Sequence, residues 1–524
     1  MQQKLGYSII AEILILFISG CSIFNPSTGT VGTHRIPSAE REFRGVWVAT
    51  VANIDWPTKP GLSTDDQKKE VLAILDTVVA LHLNAIVLQV RPHADAMYAS
   101  QLEPWSYYLT GKQGQAPEPY YDPLEFWVEE AHKRGIELHA WFNPYRAFMP
   151  RGGEISDLSI IKTRPGLAKK LTNGTYWLDP AKKEVQDHSF NVIMDVVKRY
   201  DVDGIHFDDY FYPYEGNFPD DDTWAEYTAS GGSMKRDDWR RAAVNAFIER
   251  VYDGIKKEKP YVKFGISPFG IGKPGSPPSI QGFDQYSSLY ADAVLWFHKG
   301  WIDYWTPQLY WPVNQIPQSF PVLLGWWTAE NYRQRNLWPG MIIGRFTDEK
   351  GADEIVNQIM IERGFVNNAP GHVHFSMKAF QKDSSALNTA LKNGPYKKLA
   401  LVPPSPWLDD DAPASPKLEA AMANSSIALS WTHENAGDVF RWVVYYKYGN
   451  SWDYTIVNKA DRSYTIPLSR TVVDRPRARR GEQPTVTTRV ETLSNIAISA
   501  VDRTGNESEL VYHSVIQQAA QAVQ

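Results

Sequence analysis

The sequence predicts an α/β chain: a (β/α)8 barrel of the TIM type, followed by a small all-β sandwich. Three observations carry this. Between residues 43 and 378, eight short apolar runs alternate with helix-like stretches. That alternation calls for a parallel sheet, and eight units are enough to close one into a barrel. Within the runs, apolar and polar residues alternate, as they do when one strand face meets a helix ring and the other a barrel interior. Past the prolines at 403–406, helical patterning gives way to short β-prone runs between turn residues. A doubly wound sheet is the alternative for the first part.

The elements follow in chain order. Residues 9–18 are apolar except Glu12, with Lys4 as a thin positive flank. The run is too short to span a bilayer and fits a signal h-region. It ends Ile18-Ser19-Gly20-Cys21, the pattern of a bacterial lipoprotein signal, and Cys21 is the only cysteine in 524 residues. The expectation is a signal peptide over 1–20, lipidation of Cys21, and a flexible Ser/Thr/Gly/Pro-rich tether over 21–40. A plain secretory peptide with a chance Cys is the other reading. Ser22, in place of an Asp that would retain the protein at the inner membrane, points to an outer-membrane lipoprotein of the cell envelope.

The barrel is expected over 41–402. Its strand runs are 43–51, 85–91, 136–143, 204–209, 262–269, 304–310, 339–344 and 372–377, with helices over 65–81, 123–134, 184–200 and 238–257. In the fourth run Ile205 and Phe207 share one face, and His206, Asp208 and Tyr210 the other. In the third, Leu138, Ala140 and Phe142 oppose Glu137, His139 and Trp141. In the second, Ile86, Leu88 and Val90 oppose Gln89 and Arg91. In the eighth, Val373 and Phe375 are expected to face outward, and His372 and His374 inward. A structural barrel would fill its interior with Val, Ile and Leu; polar strand ends read as the floor of a site.

The sharpest segment is Asp203-Gly-Ile-His-Phe-Asp-Asp-Tyr210. Adjacent carboxylates at a strand end repel, and burial adds to the cost, so they need a reason. Glycoside hydrolysis supplies one: an acid protonates the leaving oxygen, and a carboxylate attacks or activates water. Asp208 has the inward parity and is the first catalytic candidate. Asp209 is the second, if the pleat breaks at the lip. A further carboxylate is sought in Asp95, Asp55 or Glu215. Substrate contacts are expected from loops after four strands: Trp56; Gln89, Arg91 and His93; His139, Trp141, Asn143 and Arg146; His206 and Tyr210. Gln308, Tyr310 and Trp311 complete the set. Aromatic residues make up 13% of the chain, with 19 Trp, which favours stacking on sugar rings.

The segments Glu42-Phe-Arg-Gly-Val-Trp-Val-Ala-Thr50, Gln89-Val-Arg-Pro92, Trp141-Phe-Asn-Pro-Tyr-Arg146, 203–210 and Thr306-Pro-Gln-Leu-Tyr-Trp311 together resemble the glycosyl hydrolase-like family ten of bacterial lipoproteins. The resemblance spans roughly 41–400 and implies a (β/α)8 glycosidase. It also implies peptidoglycan glycan strands lacking stem peptides as the leading substrate. The 203–210 segment also resembles the chitinase DGxDxDxE pattern, but His206 replaces its middle Asp and Tyr210 stands where its catalytic Glu would be.

A linker is expected over 403–416, a sandwich over 417–516 and a tail over 517–524. Trp431, Val443-Val-Tyr-Tyr446 and 498–508 make the sandwich resemble a fibronectin type III domain, free to dock on the barrel or on another envelope component. A basic run, Arg475-Pro-Arg-Ala-Arg-Arg480, reads as a solvated loop.

Several classes are excluded or disfavoured. A net charge of −6 gives no reason to expect nucleic acid. One cysteine allows no intrachain disulfide and no multi-cysteine zinc site. No P-loop or GxGxxG follows a strand, so no cofactor is expected, and the scattered histidines suggest no metal. The alternative to a glycosidase is a non-catalytic glycan-binding lipoprotein on a degenerate barrel.

Overall fold

A computed structural model describes residues 36–214, 216–381, 385–474 and 486–515. The expected signal peptide, Cys21, Glu215, the basic run and the 517–524 tail lie outside the described residues. Among the described residues no helix is long and apolar enough to cross a membrane.

The first twelve strands are β1 (Phe43–Val48), β2 (Ala85–Arg91), β3 (Glu137–Phe142), β4 (Arg146–Phe148), β5 (Ala168–Lys170), β6 (Tyr176–Leu178), β7 (Gly204–Phe207), β8 (Lys263–Ile266), β9 (Tyr304–Trp305), β10 (Asn336–Leu337), β11 (Gly340–Ile342) and β12 (Gly371–Phe375). Nine of them form one parallel sheet in the order β10-β9-β8-β7-β3-β2-β1-β12-β11. Strands β10 and β11 are two halves of the seventh barrel strand, broken at Trp338-Pro339. Proline has no N–H to give a ladder, so a central strand cannot run through it. The halves pair with opposite neighbours, β10 with β9 and β11 with β12, and a Gln308–Gly340 bridge completes the ring. The closed sheet is therefore an eight-stranded barrel. Strands β4, β6 and β5 form a small antiparallel sheet that the sequence reading did not expect.

The expected helices appear as Thr64–Ala80, Pro123–Lys133, Lys183–Arg199 and Arg236–Glu258. Local chemistry starts two of them. The Ser63 side chain accepts from Asp66 N; Asp122 accepts from Leu124 N and Glu125 N, with Pro123 opening the first turn.

The parity reading holds for the second, third and fourth barrel strands, and the first follows the same alternation. Val46, Val48, Ile86, Leu88, Leu138, Ala140, Ile205 and Phe207 join the layer between sheet and helices. Each of these side chains larger than Ala140 contributes about 1.5–3 kcal/mol of burial, so this layer fixes the register. The interior holds Phe43, Trp47, Ala85, Val87, Trp141 and Tyr304, and beneath them a polar column. Lys263 Nζ donates to Glu137 at 3.0 and 3.1 Å, and His139 Nε2 lies 3.0 Å from Glu137. The Tyr304 hydroxyl lies 2.8 Å from His139 Nδ1 and 2.9 Å from His206 Nδ1. Trp47 Nε1 donates to His206 Nε2 at 3.2 Å. An indole N–H can only donate, so this network assigns the His206 proton to Nδ1 and makes Nε2 an acceptor.

The eighth strand reverses its expected parity. Val373 and Phe375 join the interior cluster, while His372 and His374 both meet the Tyr396 hydroxyl. Tyr396 gives the two imidazoles a buried partner outside the barrel, and interior space is taken by Trp47 and Trp338.

The carboxyl-terminal strands are β13 (Lys417–Ala423), β14 (Ser426–Thr432), β15 (Arg441–Tyr448), β16 (Ser451–Asn458), β17 (Ser463–Pro467), β18 (Ser469–Asp474), β19 (Thr487–Val501) and β20 (Val511–Ser514). They form two antiparallel sheets, β13-β14-β17 and β16-β15-β19-β18, with β20 on β19. Ile427, Leu429, Trp431, Trp442 and Ile498 fill the core between them.

The sandwich sits against the amino ends of the barrel strands. Arg503 reaches Asp203 at 2.9 Å and Asp201 at 2.5 Å, Arg441 donates to the carbonyls of Arg134 and Gly135, and Lys263 Nζ donates to the Arg503 carbonyl. The expected linker is packed in this junction: Ser405 is fully buried, and Trp407 donates to Asp303 at 2.9 Å. The expected tether ends early, because Ala39 N and Glu40 N already donate to Tyr445 and Tyr454.

Candidate active site

The carboxyl ends of the barrel strands surround a cavity of about 320 Å³. Trp47, Gln89, Trp141, Arg146, Asp208, Asp209, Tyr210, Ser267, Gln308 and Tyr310 line it, with Tyr214, Phe269 and Phe375 among its aromatic walls. Two glycines allow the strands beneath to crowd. A Cβ at Gly204 would sit 2.5 Å from the His139 ring, and one at Gly265 would sit 2.0 Å from the Tyr304 ring. Small residues there let the polar column fill the interior and support the floor.

The ladder of β7 ends at Phe207, so Asp208 and Asp209 leave regular pleating and both line the cavity. Both are nearly fully buried, at 4% and 6% exposure. Trp141 Nε1 donates to Asp208 Oδ2 at 3.1 Å, Asn143 Nδ2 lies 3.5 Å from both its oxygens, and Tyr210 N lies 3.4 Å from Oδ1. Burial, and then the charge of Asp209, push the Asp208 pKa up to about 7; Arg146 and Trp141 pull the other way. Asp209 is also raised by burial, but the Tyr214 hydroxyl, its own backbone N–H and Gln308 favour its ionised form. One member of the pair therefore holds a proton near neutral pH while the other has donors for a negative charge, the division an acid and its partner carboxylate require.

The remaining lining residues supply binding groups. The Arg146 guanidinium lies 4.6 Å from the Tyr210 ring centroid and donates to the Pro92 carbonyl. Gln89 Oε1 accepts from Thr50 N and Val51 N, leaving Nε2 buried without a partner among the described residues. Gln308 Nε2 donates to the Ser267 carbonyl at 3.0 Å.

Of the residues expected from sequence, the fold brings Asp208, Asp209, Gln89, Trp141, Arg146, Tyr210, Gln308 and Tyr310 together. Asn143 touches Asp208 from behind, and His139 and His206 lie in the column below. Trp311 packs against Phe269 at 5.7 Å between centroids.

Asp95, Trp56, Arg91 and His93 do not line the cavity. A register shift after Gln89 turns Arg91 aside, where it pairs with Glu103 at 2.7 Å. Trp56 donates to the Gln67 carbonyl and packs edge-on against Trp127 in the helix layer. His93 is enclosed by Tyr108 and Phe148, and burial holds its pKa well below the usual imidazole value. Asp95 accepts from Gln113, and burial pushes it up to about 6. Asp55 accepts from Ala49 N, Ser376 Oγ and Lys378 N, which makes it a clamp between β1 and the segment after β12.

Sequence reasoning missed Trp47, Ser267, Phe269, Phe375 and Tyr214. Trp47 shares the interior parity of Phe43, a signal that was available. Tyr214 lies in an irregular loop, where periodicity says nothing. Away from the site, Glu42, Glu362 and His372 cluster, but Glu42 is already paired with Arg44 at 2.6 Å and Arg363 at 2.7 Å. Both Glu42 oxygens already accept from guanidinium groups.

The model of a family described as glycosyl hydrolase-like 10 matches residues 42–351. The chain is 40% identical over 396 residues to the glycosyl hydrolase YngK of Bacillus subtilis, covering 72% of this chain and 77% of that one. It is 34% identical over 346 residues to the glycosyl hydrolase DigH of Escherichia coli K12, covering 61% and 78%. Among solved structures, the glycoside hydrolase domain of PgaB (BpsB) from Bordetella bronchiseptica is similar with a TM-score of 0.46 and 12% identity, covering 68% and 99%. The catalytic domain of a Paenibacillus polymyxa beta-amylase has a TM-score of 0.44 and 11% identity, covering 68% and 98%.

Proposed function

The chain belongs to the glycosyl hydrolase-like 10 family and is a glycoside hydrolase, and from that premise we propose that it cleaves peptidoglycan glycan strands lacking stem peptides, held at the envelope by a lipid on Cys21. The observation that carries the chemistry is the buried Asp208–Asp209 pair in an aromatic cavity at the carboxyl end of β7. Asp208 gives its proton to the leaving glycosidic oxygen as the C–O bond breaks. Water adds to the anomeric carbon, its proton passing to a carboxylate, and the acid is restored. A binding scaffold would have no need of a carboxyl group that keeps its proton near pH 7.

The lining suits a bare sugar strand. Trp47, Trp141, Tyr210 and Phe269 offer faces to pyranose C–H groups, and Gln89, Gln308 and Ser267 offer hydrogen bonds to hydroxyl and acetamide groups. Among the described lining residues Arg146 is the one cation, suited to a sugar carboxylate.

The test is incubation of protein lacking residues 1–21 with glycan strands before and after removal of stem peptides, followed by mass spectrometry. The reading expects fragments of bare strands, each cut adding one water. Intact strands, or products lacking that water, would overturn it. For the anchor, Cys21→Ser is expected to release the protein from the membrane fraction.

A further inference from the structure

Asp208 and Asp209 are neighbours of the same residue type in one cavity, yet hydrolysis needs them in different protonation states. Their donors differ. Asp208 has one contact close to ordinary length, from Trp141 Nε1 at 3.1 Å; its contacts with Asn143 and Tyr210 N lie at 3.4–3.5 Å. Asp209 Oδ2 accepts a hydrogen bond from the Tyr214 hydroxyl. The Tyr214 ring is wedged between Tyr210, 5.6 Å between centroids, and Phe283, at 5.0 Å. It lines the cavity and is 38% exposed, so it reaches the acid pair from the mouth. A phenol aimed at one carboxylate stabilises that group's anion and not its neighbour's.

We propose that Tyr214 is a positioning residue that divides the labour of the pair: it holds Asp209 ionised and in place, leaving the transferable proton on Asp208. The proposal rests on the carboxylate reading given above. Among the described residues, the other charged or titratable groups facing Asp209 are Asp208 on the same segment, Arg146 at the start of β4, Tyr210 beside it, and Tyr310 from the segment after β9. Arg146 and Tyr310 face both carboxyl groups, so neither separates them.

The test is Tyr214→Phe, which keeps the ring and its packing. Activity on glycan strands stripped of stem peptides is followed against pH. In wild type the acid limb rises as Asp209 ionises. Losing the hydroxyl removes a donor to the anion, so Asp209 binds its proton more tightly and that limb moves up by about one pH unit. kcat at the acid shoulder falls about tenfold, with KM changing less. An unmoved limb would overturn the proposal, because a merely structural tyrosine would lower activity evenly across pH.

A second readout does not depend on turnover: the carboxyl-carbon NMR titration of Asp209, assigned with Asp209→Asn, is expected to shift upward in Tyr214→Phe. No shift refutes the role of Tyr214 whatever the activity. If Asp208→Asn turns over like wild type, the carboxylate reading itself fails. If Asp208→Asn is inactive and Tyr214→Phe keeps its acid limb, only this inference fails.

Discussion

Arg503→Ala should loosen the junction between sandwich and barrel, by an amount the geometry constrains. Arg503 reaches Asp203 through Nε at 3.1 Å and Nη2 at 2.9 Å, and Asp201 through Nη1 at 2.5 Å. The Asp201 carboxylate is 58% exposed, so that contact contributes under about 1 kcal/mol. Asp203 is 4% exposed, and stripping one partner from a buried charge costs about 3–5 kcal/mol. Asp203 keeps His132 at 2.8 Å and Leu138 N at 2.8 Å, and Arg503 is itself 22% exposed. The expected loss is therefore about 2–3 kcal/mol, below that full range, or roughly 2–4 °C in Tm for a cooperative unit of this size.

The pH dependence follows from the shifts. Burial alone would raise Asp203, but His132 and Arg503 hold it well below the usual carboxylate range. Its stabilisation is complete above the unfolded pKa of about 4 and is lost as pH falls through the depressed folded value. Burial would lower His132, but Asp203 raises it overall. Its contribution is complete below about 6.5 and fades as pH rises through the raised value. Arg503 repels the His132 cation, so removing it relieves that repulsion where His132 is charged. The deficit of Arg503→Ala should therefore be larger at pH 9 than at pH 6. Calorimetry at both values checks this; a Tm change under about 1 °C at pH 9, or a larger deficit at pH 6, would refute the reasoning.

Two further predictions address the junction and the site. Gly135→Ala should unseat Arg441, because the added Cβ would lie 1.5 Å from its Nη1 at a backbone φ of +66°; limited proteolysis should then separate the sandwich from the barrel sooner than in wild type. Trp141→Phe removes the N–H that favours the Asp208 anion, so the alkaline limb of the pH–rate profile should move up from about 7 by up to about one unit.

Much of the fold was legible because burial on one strand face imposes a period of two. That pattern placed β1, β2, β3 and β7 and the polarity of the faces of the last three. It failed where something other than periodicity decides. Pro339 splits the seventh strand without changing its apolar character, and the eighth strand turns its histidines outward because Tyr396, distant in sequence, receives both. Asp208 and Asp209 were legible from position and charge, Trp47 only from parity, and Tyr214 not at all. Asp95 and His93 carry the residue types of a site, but tertiary packing closes them off from the cavity.

The central claim is that Asp208 is the acid of a hydrolytic pair. The most direct test is the turnover of Asp208→Asn on bare glycan strands, with folding verified by an unchanged Tm. An amide of nearly the same shape cannot deliver the proton, so the account predicts a loss of about 10²–10⁴-fold with substrate binding retained. Turnover within a few-fold of wild type would contradict it and move the chemistry to another residue.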